Sequence, residues 1–218
     1  MKKLFLCIAV AMMSLTAAAQ YEYSYDDNNY YTHRRVKNRG NGLSQGDISL
    51  APKAGLNFAS LTSVDDTKMR IAFVGGLEGM YMATDYVGVS AGVFYSGQGL
   101  DYDISSGNAY LSLAYLNIPI MANFYVAEGF ALKVGVQPGI LLSAEKKYSE
   151  SSGSATVDMK DKLESLDISI PVGLSYEFSN FIIEGKYNLG LTKVSKSKSE
   201  SDCKNSVFQL TVGYRFVL

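Results

Sequence analysis

Tryptophan is absent, histidine occurs once, at His33, and only four prolines interrupt 218 residues. A single histidine leaves little material for general-base chemistry near neutral pH. Cysteine is scarce too. Cys7 lies in an apolar leader, so the mature chain keeps Cys203 alone and has no internal disulfide framework. No charge dominates: 20 basic and 21 acidic side chains give −1, which does not favour nucleic acid as a partner. Long apolar runs are missing as well. Ile104 to Ala127 carries no charge, but Asn117, Pro119 and Asn123 fall at alternate positions and argue for a strand rather than a spanning helix. What is abundant is aromatic and small: 16 Tyr, 10 Phe and 20 Gly, with 47% hydrophobic residues. That composition excludes a wholly disordered chain and suits strands.

Residues 1–19 read as a signal peptide. Lys2 and Lys3 precede the apolar run Leu4 to Leu15, and Ala17-Ala18-Ala19 supplies the small residues of a cleavage site. Residues 20–47 form a second zone, YEYSYDDNNYYTHRRVKNRGNG and its continuation, with almost no aliphatic residue and no period. It reads as a flexible, Tyr/Asn-rich segment on the periplasmic side. Residues 48–218 are the folded domain.

From Ile48 onward, apolar residues alternate with polar or small ones. Phe208, Leu210, Val212, Tyr214, Phe216 and Leu218 form one face of the last segment. The pattern recurs over Leu166 to Phe178, Phe181 to Leu191, Tyr115 to Val126 and Phe130 to Glu145, and more weakly over Ile48 to Leu61, Arg70 to Ala83 and Val87 to Gln98. This predicts eight strands, with a short helix over Met159 to Leu166 in a loop. Connections alternate in length. Thr84 to Tyr86, Ala127 to Gly129 and Ser179-Asn180 are short; Gly99 to Ala109, Lys146 to Leu163 and Thr192 to Ser206 are long. An all-β, eight-stranded antiparallel up-and-down transmembrane barrel of the outer-membrane type has this asymmetry.

Period-2 alternation also fits a soluble lipocalin-like barrel, which would put the apolar face inside and bind a ligand there. Strand length and aromatics near the short-turn end (Tyr81, Phe124, Phe130, Tyr176, Phe178, Phe181, Phe216) favour the membrane version. In it, parity points Lys53, Arg70, Lys133, Lys186 and Arg215 inward with Glu78, Glu145, Asp167, Glu177 and Glu184. Five charges of each sign in so narrow an interior predict a plugged lumen rather than a conducting pore.

No catalytic, cofactor-binding or metal-binding residue is assigned. Asp26-Asp27 and Asp65-Asp66 lack calcium-loop spacing, and Gly75-Gly76 lacks the helix that a phosphate cradle needs. The expected partners are outer-membrane lipids and other envelope or secretion proteins, and no cofactor.

The stretches APKAGLNFASL (51–61), YLNIPIMANFYV (115–126), GFALKVGVQPGILLSA (129–144), FIIEGKYNLGLTKV (181–194) and VFQLTVGYRF (207–216), in that order, resemble the PorT-like outer-membrane β-barrel family of Bacteroidota. The chain departs from the usual barrel ending, a terminal aromatic, because Val217 and Leu218 follow Phe216. The resemblance implies an integral outer-membrane protein. One member of that family takes part in protein secretion, and the family carries no established catalytic residues.

Overall fold

The computed structural model describes residues 43–61, 67–104, 107–150, 153–160, 163–192 and 204–218. The expected leader and most of the 20–47 segment lie outside them, as do His33 and Cys203.

The described chain is strand almost throughout: β1 (Ile48–Leu61), β2 (Thr67–Met82), β3 (Val87–Ile104), β4 (Gly107–Asn117), β5 (Ile120–Ala127), β6 (Phe130–Glu150), β7 (Gly153–Asp158), β8 (Leu166–Phe178), β9 (Phe181–Gly190), β10 (Asn205–Tyr214) and β11 (Phe216–Val217). These eleven segments make eight staves of a closed antiparallel barrel. β4 and β5 are one stave broken at Ile118-Pro119, where proline has no N–H for the ladder. β10 and β11 are another, broken at Arg215, whose N–H instead bonds the Asn180 carbonyl at 2.7 Å. β7 is an added hairpin arm on β6. Closure comes from β1, which pairs β2 along one edge and β10 and β11 along the other.

Alternation gives most of the staves directly. β1 and β8 occupy the residues expected, and β9 ends one residue early. The long connection expected over Gly99 to Ala109 is not a loop. β3 and β4 stay paired to Ile104 and Gly107, leaving only 105 and 106 between them. β6 likewise runs to Glu150 and folds back as β7 within the expected Lys146 to Leu163 loop. The β6 extension, Ser143 to Glu150, carries no apolar row, whereas in the β3 extension Leu100, Tyr102 and Ile104 alternate with Asp101 and Asp103 but follow the glycines Gly97 and Gly99, which read as a break. Of the helix expected over Met159 to Leu166, the described residues show only a single tight turn, closed by Leu163 N–H on the Lys160 carbonyl.

Three irregularities interrupt the register, one of them between Tyr125 and Ala127 beside the short turn. Between Ala114 and Tyr115 the partner residue jumps from Ser143 to Leu141, so Leu142 is a bulge. The β2–β3 register shifts between Met69 and Val74. Nearby, Gly99 in β3 has φ +133°, a conformation reserved for glycine. Gly99→Ala is therefore expected to destabilise the barrel by about 1–3 kcal/mol. Urea titration of the protein folded in lipid vesicles would read this as a lower midpoint at unchanged slope.

Candidate functional site

The polarity of the wall is the reverse of a soluble barrel. Ile71, Phe73, Val93, Leu174, Ile183 and Val212 stand outward and exposed, and Lys53, Glu78, Lys133, Glu177, Glu184, Lys186 and Arg215 are buried inside. This overturns the lipocalin-like alternative, which needs the opposite arrangement. On β6 the outward apolar row runs from Phe130 to Leu142. At roughly 3.3 Å per residue and a tilt near 40° it spans about 25–30 Å, the thickness of a bilayer core. Aromatic side chains gather where the row ends at the two-residue turns. Phe130 packs on Tyr176 with ring centres 4.5 Å apart, Phe181 on Tyr214 at 5.3 Å, and Tyr214 on Phe216 at 4.9 Å. Rings with an apolar body and a wet edge suit that boundary.

Inside, side chains fill the barrel in layers. At the turn end Leu43 sits among Met80, Met82, Tyr125 and Ala131. Above it Arg215 bonds Glu177 at 2.6 Å and Ser49 at 2.9 Å, while the Tyr125 hydroxyl donates to Glu177 at 3.1 Å. The next layer is a closed ring of alternating charge. Lys53 lies 2.6 Å from Glu78 and 2.8 Å from Glu184; Lys133 lies 3.2 Å from Glu78 and 2.5 Å from Glu184. Each ammonium thus bridges both carboxylates. The ring is possible because Gly213 faces it: a Cβ there would stand 2.7 Å from Lys53 Cγ.

A polar layer follows. The Lys186 ammonium reaches Gln137 at 3.4 Å and lies 5.3 Å from the Phe94 ring centre. Asn57 donates to Ser96 at 2.8 Å and to the Gly97 carbonyl at 2.7 Å. Near the far end Asp167 accepts from Thr192 at 2.6 Å and from Asn205 at 3.3 Å. The last layer is apolar, with Leu111, Leu113, Tyr115, Leu141 and Ala144 closed over by Leu163 from the connection between β7 and β8.

Eight of the ten charges expected inside are buried there, four of each sign: Lys53, Lys133, Lys186 and Arg215 against Glu78, Asp167, Glu177 and Glu184. Two depart. Arg70 is only half-buried, bonding the Leu111 carbonyl at 3.2 Å and stacking on Tyr110. Glu145 points the other way. The Leu142 bulge inverts the parity beyond it, so Glu145 pairs with Ser112 on the outer side of the wall. Leu43 escapes sequence reasoning, because it is a lone apolar residue in a polar stretch and makes no period, whereas Leu163 falls within the short helix expected over Met159 to Leu166 and closes the lumen instead.

Buried side chains occupy each of these layers. The full chain in a planar lipid bilayer is expected to pass no steady ionic current; a stable open conductance in single insertions would contradict the packing. Among the described residues no cluster of metal-ligating side chains occurs.

Solved structures with similar folds include Ail, the attachment invasion locus protein of Yersinia pestis, with 18% identity over 79% of this chain and 99% of that one at TM-score 0.46. Neisserial surface protein A gives 13% identity over 78% and 97% at 0.47. OprG from Pseudomonas aeruginosa gives 15% over 82% and 99% at 0.42. No match was found among curated proteins. A family model, the outer membrane protein beta-barrel domain, matches residues 19–196. With that match, an apolar belt of bilayer height and a charge-filled interior, the chain belongs to the outer membrane protein beta-barrel domain family and resides in the outer membrane.

Proposed function

We propose that this protein is a non-enzymatic contact protein that works through the far rim of its barrel. Comparable barrels set their short turns toward the periplasm and their longer connections outward; the same orientation here puts the turns at 83–86, 128–129 and 179–180 in the periplasm. The observation that carries the reading is the one-sided height of the rim. β3, β4, β6 and β7 continue past the apolar belt, whereas β8 begins at Leu166 and β9 stops at Gly190. On the tall side the outward face turns polar where Ser112 meets Glu145. The eight residues of β6 from 143 to 150 add about 20 Å of wall above the lipid. A rigid half-shell of paired strands presents a pre-organised surface, which a free loop of the same length would not. Lipids contact the belt, and envelope or external proteins contact the shell.

The test replaces residues 146–157 by a two-residue turn and measures partner capture on intact cells by a photo-crosslinker at Ser112, a rim position that both forms keep. Loss of capture with the barrel still folded fits the proposal; unchanged capture by a crosslinker placed on the shortened rim contradicts it. The PorT-like resemblance supports a second reading, a component of a secretion apparatus. Because the lumen is packed, cargo would pass beside this protein, not through it. A deletion strain separates the readings: cargo lost from the medium without periplasmic leakage assigns the secretion role.

A further inference from the structure

The turn end of the lumen is not closed by the wall. Leu43 belongs to the chain before β1, yet it is 4% exposed among Met80, Met82, Tyr125 and Ala131. A tight turn carries it there. Ser44 N–H bonds the Asp47 carboxylate at 2.7 Å, Asp47 N–H bonds the Ser44 carbonyl at 3.1 Å, and Gly46 takes φ +90°. The bonds that tie the turn to the rim include Gln45 N–H to Asp85 at 2.8 Å, Gly46 N–H to the Met82 carbonyl at 2.8 Å, and Met82 N–H to the Asp47 carbonyl at 3.0 Å. These holdings are local. None involves the Lys53–Glu78–Lys133–Glu184 ring. Directly behind Leu43 lies polar chemistry that the wall leaves incomplete. Glu177 Oε2 and Arg215 Nε are buried without a hydrogen-bond partner. Tyr125 and Met80 link the two zones, since both belong to the apolar cluster around Leu43 and both bond into the Glu177–Arg215 group.

We propose that Leu43 is a removable stopper: residues 43–47 open as a unit while the barrel stays folded, and this exposes a periplasmic mouth with an apolar collar and a Glu177–Arg215 floor. One leucine in an apolar seat and one small turn at the rim form a far smaller unit than the eight-stave ladder, so it opens by itself. The chain before Leu43 leads into the segment 20–42, so whatever binds that segment is coupled to the stopper. The collar accepts an apolar side chain carried on a turn, as Leu43 shows in cis. The floor offers a guanidinium and a carboxylate to polar groups that follow it.

The test uses the full chain folded in detergent micelles, in a Cys7→Ser, Cys203→Ser background. Reporter cysteines are placed singly at Leu43 and at Ala51, an inward residue in the lower lumen that is 1% exposed. Labelling by a charged maleimide is compared with the rate of global unfolding read from gel mobility. The proposal expects both reporters to label faster than the barrel unfolds. It further expects Leu43→Gly to speed labelling at position 51 by about 10- to 100-fold, the worth of one buried leucine, and Leu43→Met to preserve protection. Labelling of both reporters only at the global rate would make Leu43 ordinary core and overturn the proposal. Fast labelling at 43 with position 51 still at the global rate would overturn the opening of the mouth.

Discussion

Glu184→Ala should cost about 3–5 kcal/mol of barrel stability, the largest effect of any single truncation in the lumen. Glu184 is the only described group that accepts from both Lys53 and Lys133 besides Glu78, and all four ring members are nearly sealed from water. Removing it leaves two buried ammonium groups sharing one carboxylate. A barrel with a typical net stability of about 5–15 kcal/mol would then fold only in part. Urea unfolding in lipid vesicles measures the loss, and gel mobility without boiling measures the folded fraction. The expected counterpart is informative. Replacing all four members by methionine removes the desolvation cost along with the attraction, so it should be far milder than the single change. A Glu184→Ala cost below about 1 kcal/mol would mean that water reaches the ring.

The second large effect concerns the other side of the wall. Leu210 is 44% exposed near mid-height of β10 and lies level with Leu56 of β1. Leu210→Arg should destabilise the folded state in vesicles by about 2–4 kcal/mol, because the guanidinium would stand near the bilayer midplane. Its chain neighbour Thr211 points inward, and its hydroxyl has no hydrogen-bond partner. Thr211→Val keeps the shape and deletes an unsatisfied group, so it should be neutral or slightly stabilising. Adjacent residues thus respond in opposite senses. Equal tolerance of both substitutions would place the outer face in water.

The alternation that makes these pairs predictable was legible wherever one face of a strand meets lipid and the other meets the packed lumen. β8 and β9 show it cleanly, and their inward Glu177, Glu184 and Lys186 follow from parity alone. Parity cannot see an added residue. Leu142 bulges, and Glu145 beyond it turns outward. Nor does it survive a polar composition, so the SAEKKYSE end of β6 and the GSATVD of β7 read as loop. The ring itself was legible as a count of charges but not as a ring. That Lys53 on β1 and Lys133 on β6 bridge the same two carboxylates depends on which staves face each other across the lumen. Leu43 was illegible for a simpler reason: it acts singly, and a single residue has no period; Leu163 shares a helical spacing with Met159 and Leu166, which suggested a helix and not a cap on the lumen.

The account rests on a barrel whose turns face one compartment and whose tall rim faces the other. Thr156 on β7 and Asn180 in the β8–β9 turn are both exposed and lie at opposite ends of the wall. Single cysteines at these two positions, in the Cys203→Ser background, should be probed on intact cells with a membrane-impermeant thiol reagent. Thr156→Cys is expected to label at once and Asn180→Cys only after the outer membrane is permeabilised. The reverse pattern, or labelling of both on intact cells, would contradict it.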